Sequence, residues 1–120
     1  MKIKGWKTND LLAGTDGDDI IKGGRGDDTI AGKGGFDILY GGKGHDTFVI
    51  AASDFDAIAD FQPGKDRIII DAGLYGGGGG GGEHVADHID YSAPILSYEG
   101  EAVAILSGVP LLSDGDLFIY

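Results

Sequence analysis

The sequence predicts an all-β protein in which very short strands alternate with glycine-rich turns, and three observations lead there. Written in nines from Gly5, the chain reads GWKTNDLLA, GTDGDDIIK, GGRGDDTIA, GKGGFDILY and GGKGHDTFV. In that frame position one is always Gly (Gly5, Gly14, Gly23, Gly32, Gly41) and position six always Asp (Asp10, Asp19, Asp28, Asp37, Asp46), while position eight is always large and apolar (Leu12, Ile21, Ile30, Leu39, Phe48). The third observation is compositional. With 24 glycines in 120 residues and 42% hydrophobic residues, the chain can bury a core, which a collagen-like or disordered chain of similar glycine content could not.

Each part of the nine-residue unit has a physical reason. Glycines at positions one, two and four admit positive φ, so six residues can close a tight turn with its carbonyls directed inward. Departures from this pattern include Thr8 at position four of the first unit and Lys33 at position two of the fourth. Positions seven to nine carry Ile, Leu, Thr, Val and Phe, which predicts a three-residue strand whose middle side chain faces the core. The length allows one domain.

Charge narrows the choice of partners. Twenty acids against nine bases give a net charge of −11, which argues against nucleic acid or an anionic membrane and in favour of cations. There is no cysteine, so neither a disulfide framework nor a thiolate metal site is available. No apolar run approaches membrane-spanning length, and MKIKGWKTND lacks the apolar stretch of a cleaved leader. An Asp closing every turn beside several turn carbonyls is a set of hard oxygen donors suited to Ca²⁺. The twin acids within units, such as Asp27-Asp28, are expected to repel each other when empty and to cooperate around a cation.

The units GGRGDDTIA and GGKGHDTFV resemble the GGxGxDxUx nonapeptide of RTX (repeats-in-toxin) proteins. The resemblance implies a right-handed parallel β-roll in which two nonapeptides make one turn and Ca²⁺ sits between turns stacked on the same side. It further implies that units one, three and five stack along one edge and units two and four along the other, pairing Asp10 with Asp28, Asp28 with Asp46, and Asp19 with Asp37. The donors implied are those carboxylates together with the turn residues Thr15, Gly17, Gly24, Gly26, Gly35, Gly42 and Gly44.

Beyond Val49 the period stops, which divides the chain into a roll over residues 1–50 and a C-terminal β cap over 51–120. Residues 56–68 read as two strands about a Pro63-Gly64 turn. They resemble the D-x-I-x-D-F-x-x-G-x-D-x-I segment that follows the roll in serralysin-type proteases and alginate epimerase modules, which implies that Asp60 closes the last calcium site. The glycine run 76–82 cannot bury side chains and is expected to be a mobile loop. The tail from Ala93 to Tyr120 reads as further strands, with turns at Gly100 and Gly108. Its last five residues, Asp116 to Tyr120, resemble the terminus of type I secreted bacterial proteins, which implies a secreted or cell-surface location. Ile20, Ile38 and Tyr40 fall on the outer face of the even sheet, a patch that predicts a cover by the C-terminal strands or a second copy.

Other motifs carry less. His84 and His88 stand four apart in EHVADH, a spacing able to grip a transition metal, but the HExxH order of a zinc protease is absent. Arg25-Gly26-Asp27 is accounted for as positions three to five of a unit. Gly42-Lys43-Gly44 lacks the spacing of a phosphate loop. No nucleophile, base and orienting acid stand together, so the expected function is calcium-driven folding without catalysis. Two alternatives are a calcium-dependent self-assembling surface or fibre protein, joined through a roll end left uncapped at Gly5, and an accessory module of a secreted protease or polysaccharide-modifying enzyme. Met1 points to a complete chain.

Overall fold

The computed structural model describes residues 2–5, 9–51, 55–71, 89–98, 101–109 and 117–119. Every regular element among them is a strand: β1 (Lys2–Lys4), β2 (Leu11–Ala13), β3 (Ile20–Lys22), β4 (Thr29–Ala31), β5 (Ile38–Tyr40), β6 (Thr47–Ala51), β7 (Asp56–Ile58), β8 (Arg67–Asp71), β9 (Ile89–Ser92), β10 (Ile95–Tyr98), β11 (Glu101–Leu106) and β12 (Leu117–Ile119). They form two sheets, ordered β1-β3-β5-β7-β11-β10-β9 and β12-β8-β6-β4-β2. From β1 to β8 the chain alternates between the sheets and all pairings are parallel, so this part is a parallel β-roll.

Odd units stack on odd and even on even, as the repeat implied. Thr29 is level with Leu11 and Thr47, and Ile20 with Ile38. Position eight builds the core as two facing ladders. One runs Ile3, Ile21, Leu39, Ile58, Leu106, and the other Leu12, Ile30, Phe48, Ile68. From Ile21 to Leu106 and from Ile30 to Ile68 these residues are 0% exposed. Each such side chain contributes about 1.5–3 kcal/mol relative to remaining in water.

Two expectations about the extent of the roll need correction. The coil begins before Gly5, because β1 pairs with β3 and places Ile3 under Ile21. It also runs on past Val49, through β7 and β8. Residues 56–68 do give two strands about Pro63-Gly64, but the strands join opposite sheets. The reason lies in spacing. Asp56-Ala57-Ile58 and Asp66-Arg67-Ile68 repeat the Asp-x-apolar end of the unit, each displaced by one inserted residue, so they enter the same ladders without the glycines at positions one and two.

Among the described residues, the C-terminal strands do not cover the outer face of the even sheet. Strand β11 joins the edge of β7 in parallel, and β10 and β9 follow antiparallel. Leu96, Val103 and Leu106 thereby close the end of the core, helped by the Tyr91 hydroxyl donating to the Val109 carbonyl. Strand β12 extends the other sheet beside β8. Ile20 and Ile38 stay half-buried and Tyr40 is 36% exposed, with the Lys22 ammonium 5.4 Å from its ring centre. The glycine run, Gly100, His84, His88 and Asp116 lie outside the described residues. Among the described residues no helix is long and apolar enough to cross a membrane.

Candidate metal centre

Each turn ends on its position-six Asp just before a strand, and the strand fixes where that carboxylate goes. Oδ1 reaches the coil before it on the same edge and accepts the N–H of the Asp there. Asp10 N–H donates to Asp28 at 2.9 Å, Asp28 N–H to Asp46 at 2.9 Å, and Asp46 N–H to Asp66 at 2.9 Å. On the other edge Asp19 N–H donates to Asp37 at 2.8 Å and Asp37 N–H to Asp56 at 3.0 Å. The structure therefore brings together the expected pairs Asp10/Asp28, Asp28/Asp46 and Asp19/Asp37. It adds Asp56 and Asp66, which the glycine pattern did not reveal and the Asp-x-Ile spacing could have.

The second carboxylate oxygen folds back on its own turn. A methyl group on Gly23 would sit 2.6 Å from Asp28 Oδ2, and one on Gly41 would sit 2.5 Å from Asp46 Oδ2. Position one is thus glycine to leave room for a carboxylate; the positive φ values expected there occur instead at positions two and four, at Gly24, Gly26, Gly35, Gly42 and Gly44. A methyl group on Gly42 would overlap the Gly24 carbonyl, and one on Gly44 the Gly26 carbonyl, so turns on the same edge lie with one turn's carbonyls against the next turn's backbone. Gly35 meets Gly17 in the same way on the other edge. At Lys33 the chain takes φ 66 without a glycine.

The electrostatic consequence is a row of buried carboxylates with unused oxygens. Asp28, Asp37 and Asp46 are at most 1% exposed, and the Oδ2 of each is buried without a hydrogen-bond partner. Burial raises the pKa of Asp28, Asp37 and Asp66 above the usual carboxylate range. Asp46 is pushed up to about 7, by burial first and then by the charges of Asp66, Asp28 and Asp60, against the opposing hydrogen bond from the Asp28 N–H. Asp19 behaves differently. The Thr15 N–H donates to its Oδ2 at 2.7 Å and the Thr15 hydroxyl contacts the same carboxylate, and the pKa of Asp19 is lowered.

Asp60 stands at the C-terminal end of the odd edge, accepting from Gly41 N–H at 2.7 Å and Gly42 N–H at 2.9 Å, next to the glycine over which Asp46 Oδ2 lies. No three His, Asp or Glu side chains converge on one point among the described residues. The carboxylates stand instead in ones and twos beside turn carbonyls. All the donors are oxygens, the set that a hard divalent ion takes and a soft one avoids. The unused buried Oδ2 atoms, each negative when ionised and unpaired, fit such an ion.

The match to a protein-family pattern agrees with this geometry. Residues 7–39 and 23–49 match the family described as RTX calcium-binding nonapeptide repeat (4 copies). No curated protein matches the chain. Among solved structures it is similar to the AlgE6R3 subunit of the Azotobacter vinelandii mannuronan C5-epimerase, with 28% identity over 92% of this chain and 78% of that one, at a TM-score of 0.35. With the nine-residue period, the parallel stacking of its turns and the buried Asp at position six of units two to five, residues 7–49 of this chain belong to the RTX calcium-binding nonapeptide-repeat family.

Proposed function

We propose that this chain is a secreted module whose function is to fold on calcium, with no catalytic activity of its own. The observation that carries the reading is the set of buried, unpartnered Oδ2 atoms on Asp28, Asp37 and Asp46. As built, the roll places negative charge in its interior with nothing to neutralise it, a cost that a protein bears when a cation supplies the balance.

Calcium is held between same-edge turns, by Asp10 and Asp28, by Asp28 and Asp46, and by Asp19 and Asp37. Carbonyls of Thr15, Gly17, Gly24, Gly26, Gly35, Gly42 and Gly44 complete the shells, and Asp60 closes the last site on the odd edge. Where free calcium is scarce, the net charge of −11 keeps the chain expanded and able to thread a type I secretion channel. Outside the cell, calcium neutralises the turns and folding follows. With sites of about 10⁻⁴–10⁻³ M, free calcium at about one hundred times the dissociation constant stabilises the fold by about 2.7 kcal/mol per site.

Circular dichroism with and without chelator, combined with native mass measurement during a calcium titration, tests this reading. The expected result is a disordered spectrum in chelator that converts to β-structure as calcium ions add. A folded spectrum in chelator with no bound ions at millimolar calcium would overturn it.

A further inference from the structure

The twin acids of the repeat do different work. Between units one and three, Asp10 N–H donates to the Asp28 carboxylate of the later coil, while Asp27 N–H donates to the Asn9 side-chain oxygen of the earlier coil at 2.7 Å. The same crossed pair recurs between units two and four, where Asp19 N–H donates to Asp37 and Phe36 N–H to Asp18 at 2.8 Å. It recurs again between units three and five, where Asp28 N–H donates to Asp46 and His45 N–H to Asp27 at 2.8 Å. Position six thus reaches back one coil and position five reaches forward one coil, so every pair of stacked turns is clamped from both sides.

Where the clamp ends, other contacts take over at position five. The rings of Phe36 and Phe55 stack at 5.6 Å, and His45 Nδ1–H donates to the Lys65 carbonyl at 2.9 Å. Asn9, Asp18 and Asp27 are all exposed, whereas Asp28, Asp37 and Asp46 are buried. The first member of each acid pair therefore lies on the outer rim, with one oxygen committed to a backbone N–H.

We infer that Asn9, Asp18 and Asp27 are positioning residues that set the register of stacked turns through a side-chain acceptor, so that the calcium-binding position-six carboxylates meet in pairs. The inference deepens the calcium-folding reading and rests on it for its link to affinity. What the position needs is an oxygen acceptor on a short side chain, which Asn supplies as well as Asp; the charge is incidental. Asn9 already fills the role without one.

The test compares Asp27→Ala with Asp27→Asn in the full chain, reading the calcium midpoint by circular dichroism and the exchange rate of the His45 amide by NMR at saturating calcium. Asp16→Ala serves as the control, removing one exposed turn charge that makes no inter-coil bond in this account. Loss of one hydrogen bond to a backbone N–H predicts a calcium midpoint raised about threefold to tenfold in Asp27→Ala, with His45 exchange accelerated by a similar factor. Asp27→Asn should stay within about twofold of the parent on both readouts, as should Asp16→Ala. If Asn behaves like Ala, charge is the operative property and the inference falls; it falls equally if Ala matches the parent. Should Asp27→Ala fail to fold, Asn9→Ala, which removes a single rung at the end of the ladder, gives the same comparison through the Asp27 amide. A parent indifferent to calcium would sink the calcium reading, while the His45 amide would still decide the register role.

Discussion

Units two to five and the two coils after them reach the same backbone path with different residues. In the first region each turn stacks against another glycine turn, and a methyl group at Gly42 or Gly44 would overlap a carbonyl of the preceding coil. In the second, the turn before Asp66 has Phe61 and Gln62 where the repeat has its first two glycines, and a methyl group on Gly64 would meet nothing within 4 Å. Both regions keep the Asp that caps the coil before it and the apolar residue two positions on. The Asp-x-apolar end is thus what defines a coil, and the glycines are required where turns crowd one another.

The sharpest way to break this comparison is to remove a carboxylate that serves two stacks. Asp28 accepts from Asp10 and donates to Asp46, whereas Asp10 stands at the end of its ladder. At calcium about one hundred times the dissociation constant, Asp28→Ala should cost about 5 kcal/mol through the loss of two sites, and Asp10→Ala about half of that. Thermal unfolding at saturating calcium checks it, and equal effects would show that the stacking order does not govern binding.

Next in size is the glycine contrast. Gly42→Ala combines a positive φ with overlap against backbone and should cost about 4 kcal/mol, while Gly64→Ala, strained but unobstructed, should cost about 1–2 kcal/mol. Chemical denaturation of the two calcium-loaded variants measures the difference directly.

Acid should act on the two regions in one direction. Asp46 has a folded-state value of about 7, and Asp28, Asp37 and Asp66 are also raised. A carboxyl whose pKa rises on folding binds more protons folded than unfolded, so stability falls as pH increases between the unfolded value, about 3.9, and the folded one. The calcium-free roll should accordingly gain stability as pH is lowered from about 7 towards about 4. Asp19, whose value is lowered, opposes this once pH falls below its ordinary range. Calcium binding needs the ionised carboxylates, so its midpoint should rise over the same interval, and a calcium midpoint that stays level on mild acidification would contradict this expectation.

The smallest effect is a gain. Lys33 holds φ 66 at a position where Gly24 and Gly42 sit in neighbouring units, and Lys33→Gly should stabilise the fold by about 1 kcal/mol, visible as a higher melting temperature.

Much of this protein was legible in its sequence because the repeat states its physics at fixed spacing. Asp28 and Ile30, two apart in every unit, already specified a turn that presents a carboxylate and a strand that buries one side chain. The odd-with-odd stacking followed from two units per turn. Less visible were the coils that lead into Asp56 and Asp66, because, of the repeat's glycines, only Gly64 remains before them and one inserted residue before each breaks the nine-residue count. The separate tasks of Asp27 and Asp28 were hidden as well, since adjacent acids look alike until the strands that follow them fix which coil each one reaches. The sequence by itself determined the all-β class, the period, the core position and the recurring carboxylates, for these depend on residue types that recur locally. Only the tertiary structure decided where the roll begins and ends, which carboxylate oxygens are left unpaired, and that the C-terminal strands extend a sheet instead of covering it. Those outcomes depend on which backbone edges remain open once the coils have stacked, and no local pattern carries that information.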